Sequence, residues 1–201
     1  MAVILVIMLG EHGVGKSSLM RRLLDDDLNR NPGPTVGIEY VNKVFEMKNG
    51  GKLMTQIWDT AATENFRHIC MFHYRNAIGA IIIYDLTKPF TFTKCEEWLR
   101  DFREVAHEKA KAIIVGNKLD RIEQDPTFRR VDQEMVKRWA KEHDVMHFEV
   151  SATKNKHVYE AVEALLEGTC LSPRDLFHGQ QFQSERTQRC ETRCLDGDEK
   201  E

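Results

Sequence analysis

The sequence predicts an α/β domain: a six-stranded, mostly parallel sheet with helices on both faces. Three observations predict it. Short apolar runs alternate with amphipathic stretches along the chain, a glycine-rich loop follows the first run directly, and polar motifs follow the later runs. Ala2 to Leu9 is the first run; with no basic leader and no cleavage site, and too short to span a bilayer, it reads as a buried strand. Ser18 to Leu24 then carries a helical pattern. Val36 to Met47 and Leu53 to Trp58 read as two strands joined by the turn Asn49-Gly50-Gly51, a hairpin signature. Ala80 to Tyr84, Ala112 to Val115 and His147 to Val150 are short runs of the kind found in buried parallel strands. Helical patterns at Phe92 to Val105, Asp132 to Glu142 and Val158 to Leu166 lie between and after them. Beyond about Leu171 large apolar residues thin out, which predicts a domain over residues 1–171 and a disordered tail over 172–201.

Composition sets the bounds. The 201 residues are enough for one domain with a proper core. A formal net charge of −3 and the lack of a basic stripe argue against nucleic-acid or membrane attraction. Five cysteines, Cys70, Cys95, Cys170, Cys190 and Cys194, are odd in number and lack CxxC spacing, so ordinary thiols in a reducing, cytoplasmic compartment are expected. Residue 2 is Ala, which excludes N-myristoylation.

The chemistry concentrates in loops after the strands, where open α/β sheets bind ligands. In Gly10-Glu11-His12-Gly13-Val14-Gly15-Lys16-Ser17, glycines let backbone N–H groups turn inward where a Cβ would block the approach. That arrangement suits a diphosphate or triphosphate. Lys16 adds charge for the β- and γ-phosphates, the Ser17 hydroxyl suits Mg²⁺, and the following helix turns its positive end to the same anions. The expected contacts are His12, Gly13, Val14, Gly15, Lys16, Ser17 and Ser18. Asp59, after Leu53 to Trp58, is placed to hold a water on that Mg²⁺. Asn117-Lys118-Leu119-Asp120 and Ser151-Ala152-Thr153 follow the next two strand ends and select the base. The Asp120 carboxylate accepts from the N1–H and exocyclic amine of guanine, while Asn117 and the N–H groups around Ala152 suit its carbonyl edge. Adenine mismatches both, so GTP or GDP is the expected ligand.

These motifs together resemble the Ras superfamily of small GTP-binding proteins, whose fold is a three-layer P-loop NTPase sandwich, and the Rab family most of all. The resemblance covers roughly Ala2 to Leu171. Thr35-Val36-Gly37-Ile38-Glu39-Tyr40, Trp58-Asp59-Thr60-Ala61, Tyr74-Arg75-Asn76-Ala77, Tyr84-Asp85-Leu86-Thr87 and Glu97-Trp98-Leu99 carry it. It implies that Thr35 ligates Mg²⁺ and reports the γ-phosphate. It also implies a switch in vesicle traffic served by effectors, an exchange factor and a GTPase-activating protein, acting as a monomer. Effectors would meet an aromatic trio, held here by Tyr40, Trp58 and His73; Trp58 reads equally well as a core residue.

The departures bear on catalysis. Where the family has DTAGQE this chain has Asp59-Thr60-Ala61-Ala62-Thr63-Glu64. Ala62 stands for the glycine whose N–H meets the γ-phosphate, and Thr63 for the glutamine that orients the attacking water. Threonine is too short to accept from the water and donate to the phosphoryl oxygen at the same reach. Slow hydrolysis follows as an expectation, with Lys16 and Thr35 supplying charge and positioning; a GTP-holding module without turnover is the alternative. His12 reads as a solvent-facing residue that partly blocks an incoming arginine, with a donor role left open. Leu28, in place of a ring over the guanine, predicts faster exchange. The last residues, Leu195 to Glu201, carry no prenylation motif, so recruitment to endomembranes through partners is expected.

Overall fold

The computed structural model describes residues 3–24, 38–48, 50–60 and 75–169. Its sheet holds six strands: β1 (Val3–Leu9), β2 (Ile38–Glu46), β3 (Lys52–Thr60), β4 (Gly79–Asp85), β5 (Lys111–Asn117) and β6 (Met146–Glu149). The order is β2-β3-β1-β4-β5-β6. Every neighbouring pair is parallel except β2 with β3. The predicted fold class therefore holds.

Alternation along the central strands explains why helices cover both faces. Val6 and Met8 of β1, with Ile81 and Ile83 of β4, face a core completed by α1 (Lys16–Leu23) and α6 (Val158–Gly168) through Leu19, Leu23, Val162 and Leu165. Ile7, Leu9, Ile82 and Tyr84 face the other core, built with α2 (Pro89–Thr93), α3 (Cys95–Val105) and α5 (Gln133–Glu142) through Phe92, Leu99, Phe102 and Val136. Both faces of β4 are buried, so its sequence is apolar up to Tyr84 instead of alternating with polar residues.

Several boundaries differ from the sequence reading. β5 runs on to Asn117, β3 runs through Asp59 to Thr60, and the helix expected over Phe92 to Val105 is two helices with Lys94 between them. The short helix α4 (Leu119–Gln124) falls where only a polar motif was legible. The β2–β3 hairpin closes as expected, with Gly51 O accepting from Met47 N at 2.8 Å and Gly50 at φ 78°. Asn49, Cys170 and the tail lie outside the described residues.

Candidate nucleotide site

The loop between β1 and α1 is shaped by backbone that only glycine adopts easily. Gly10 has φ 138°, and a Cβ there would lie 2.2 Å from the Ile83 carbonyl oxygen. Gly15, at φ 102°, caps α1 without any side-chain hydrogen bond, and its Cβ would lie 2.3 Å from Asn117 Nδ2. The first turn of α1 thus keeps its N–H groups turned toward the loop. Lys16 folds back into this loop, 7% exposed, with Nζ donating to Gly10 O at 2.8 Å and Glu11 O at 3.1 Å. Val14 is buried in the core, so it meets a ligand through its backbone; His12 is exposed and Ser18 half-buried.

Ser17 Oγ donates to Asp59 Oδ2, which joins the start of α1 to the end of β3. Asp59 is fully buried. A hydroxyl beside a buried carboxylate is a hard-oxygen pair of the kind Mg²⁺ takes when phosphates supply the remaining ligands, so these residues fit that ion.

The base end is assembled from β5, α4 and the loop after β6. Asn117, 2% exposed, donates through Nδ2 to Val14 O at 2.9 Å, and its Oδ1 accepts from Ala152 N at 3.2 Å. Sequence reasoning aims this amide and the Ala152 N–H at the base; the structure joins them to each other, so Asn117 ties the phosphate loop to the Ser151–Thr153 loop. Lys118 sits in the left-handed region, φ 72°, and its ammonium donates to Gly13 O at 2.9 Å and Asp85 Oδ2 at 2.6 Å. Asp120 accepts from Ser151 Oγ at 2.6 Å, and Ser151 Oγ lies 2.9 Å from Thr153 Oγ1. One carboxylate oxygen of Asp120 is thereby oriented by the neighbouring loop.

Asp85, which the sequence marks only as part of the family-like passage Tyr84-Asp85-Leu86-Thr87, has a structural part in the site. It is fully buried at the end of β4, where burial would push its carboxyl up, yet hydrogen bonds from Lys118 and Thr87 hold it below the usual carboxylate range. A carboxylate ending an apolar strand was the available signal, the same one that marks Asp59. Cys95 is buried, and burial together with the Glu11 carboxylate pushes its thiol up, so it is not a nucleophile.

On the far edge Tyr40 of β2 pairs with Trp58 of β3, the rings stacked at 5.4 Å. Tyr40 is 55% exposed, whereas Trp58 is half-buried against the second core and donates from Nε1 to Gln56 Oε1 at 2.8 Å. Trp58 therefore meets both readings, part core and part surface. Leu28, Thr35, Ala62, Thr63 and His73 lie outside the described residues.

A glycine-rich loop leading from the first strand into a helix, set beside a hydroxyl–carboxylate pair at the carboxyl ends of a parallel sheet, defines the P-loop class of nucleotide-binding proteins. Within that class the sequence matches the Ras family over residues 5–170. It is 36% identical to Ras-related protein Rab-10 of Caenorhabditis elegans over 165 residues, covering 80% of each chain. It is 34% identical to Ras-related protein RabC of Dictyostelium discoideum over 163 residues, covering 81% of each. GTP-binding protein ypt3 of Schizosaccharomyces pombe is 35% identical over 160 residues, 80% of this chain and 72% of its own. The chain belongs to the Ras family and stands with the Rab proteins within it. No helix among the described residues is long and apolar enough to cross a membrane.

Proposed function

We propose that this chain is a Rab-like molecular switch that binds GTP or GDP with Mg²⁺ and hydrolyses GTP slowly, regulating vesicle traffic through effectors. The observation that carries the reading is the connection between the two ends of the site. Asn117 grips Val14 and Lys118 grips Gly13, so residues that suit a guanine are bonded to the loop that suits phosphates. In this reading Lys16 releases its loop carbonyls to the β- and γ-phosphates, and backbone N–H groups from Gly13 to Ser18 surround them. Ser17 and Asp59 hold the metal side, joined by Thr35, whose part rests on family resemblance. Bound Mg²⁺ would neutralise phosphate charge as the γ-phosphoryl leaves.

Asp120 reads the guanine N1–H and amine, while Ser151, Ala152 and Thr153 close over the base. Ala62 presents an N–H to the γ-phosphate with less backbone freedom than glycine. Thr63 is too short to orient the attacking water as glutamine would, so intrinsic turnover is slow and a GTPase-activating partner speeds it, its arginine alone being worth about 10³ to 10⁵ in rate. Tyr40, Trp58 and His73 offer the effector surface. Exchange is served by a separate factor, the protein acts as a monomer, and membrane recruitment comes through partners.

Fluorescent GDP binding to the full chain tests the reading. Tight, Mg²⁺-dependent binding that GTP competes and ATP does not is the expected result. Equal competition by ATP would overturn it. The second reading, a module that holds GTP without turnover, draws on the threonine at position 63.

A further inference from the structure

Arg22 lies in the last turn of α1, the helix that opens with Lys16 and Ser17. Its guanidinium crosses to the loop after β6, where Nε donates to Ala152 O at 2.8 Å and Nη2 to Thr153 O at 3.0 Å. Two successive carbonyls are thus taken by one planar fork, which a lysine ammonium cannot reproduce. The same loop is closed by reciprocal backbone bonds between Ser151 and Lys156, both 3.0 Å. It is also fastened to the phosphate side by the Ala152 N–H on Asn117. The far end of α1 is itself anchored, since Tyr159 of α6 donates to Leu23 O at 3.2 Å.

We infer that Arg22 is a positioning residue for guanine recognition: it fixes the Ser151–Thr153 loop, and through Ser151 the Asp120 carboxylate, to the helix that bears the phosphate-binding residues. This rests on the nucleotide reading above. Arg22 acts through another residue and is not itself a ligand contact in this inference. Its effect passes through the two loop carbonyls and the Ser151 Oγ–Asp120 bond. Without the fork the loop loses its two hydrogen bonds to α1, and both release of the base and its discrimination change.

The experiment measures release of fluorescent GDP, and of inosine diphosphate, from the full chain and from Arg22→Ala, Arg22→Lys and Arg103→Ala. Inosine lacks the amine that Asp120 would accept. Arg103 is a matched control, because it also bonds a backbone carbonyl, His143 O at 2.6 Å, but far from the site. The expected result is GDP release about tenfold faster in Arg22→Ala, as loss of charged hydrogen bonds implies. Discrimination between the two diphosphates should narrow. Arg22→Lys should fall between Arg22→Ala and the unmutated chain, and it carries the test if Arg22→Ala does not fold. Release within twofold of the unmutated chain in the Arg22 variants, or equal acceleration in Arg103→Ala, would overturn the inference alone. An unmutated chain that retains no GDP would instead contradict the nucleotide reading, and the inference with it.

Discussion

Lys118 shows how much of this site depends on single side chains. It accepts a left-handed backbone, and from there reaches both Gly13 O and the buried Asp85 carboxylate. Asp85→Asn keeps the shape and removes the charge, so it should cost about 2 kcal/mol or more at pH 7, measured by denaturant unfolding. The pH dependence follows in sign. Asp85 is held below the usual carboxylate range, so its contribution is full above the unfolded value of about 3.9 and is lost as pH falls further. The variant should show a shallower loss of stability below about pH 4. Gly15→Ala should be worse for binding than for folding, because its Cβ strikes Asn117 Nδ2 and breaks the tie to Val14. GDP affinity falling at least tenfold is the expected outcome by titration. At this scale the sequence exposed the residues with chemistry in their own motif, Lys16, Ser17, Asp59 and Asp120. It concealed the role of Arg22, whose partner Ala152 lies 130 residues away, and the tie from Asp85 to Lys118, 33 residues on, of which the local Thr87 contact gives no sign.

Strands and helices were more legible than their ends. Apolar runs located β1, β4 and β5, where burial of the sheet faces forces such runs, and the hairpin turn located β2 and β3, but β5 and β3 continue into Asn117 and Asp59, whose burial rests on hydrogen bonds instead of hydrophobicity. The six-residue α4 has too few turns for periodicity to mark it. Packing between strands is tight where β4 meets β5. A Cβ on Gly116 would lie 2.6 Å from the Tyr84 hydroxyl, so Gly116→Ala should destabilise by about 1–3 kcal/mol in thermal or denaturant unfolding. The same hydroxyl lies 3.0 Å from His147 Nε2 in β6. Burial holds His147 below the ordinary histidine range, against the pull of Glu149. The unfolded chain therefore protonates first, near pH 6.5, and stability should fall from about pH 7 downward. His147→Phe should flatten that slope between about pH 7 and 5, read by unfolding at each pH.

For the whole molecule, the sheet places the ends of β3, β1, β4, β5 and β6 side by side, and that placement brings residues from positions 10 to 153 together at one end of the sheet. The fold class and the base and phosphate motifs could be read from the chain because each motif directly follows an apolar run. The fastening between them could not, because Asn117, Lys118 and Arg22 act across strands that only the folded sheet brings together. In the proposed function the rate of hydrolysis turns on one further position, Thr63, where family resemblance expects glutamine. The decisive measurement is a single turnover: the full chain loaded with labelled GTP and Mg²⁺, followed as bound GTP becomes GDP, beside Thr63→Gln. Conversion should be slow in the unmutated chain and at least tenfold faster in the variant. Unmutated protein converting GTP as fast as Thr63→Gln would contradict that expectation.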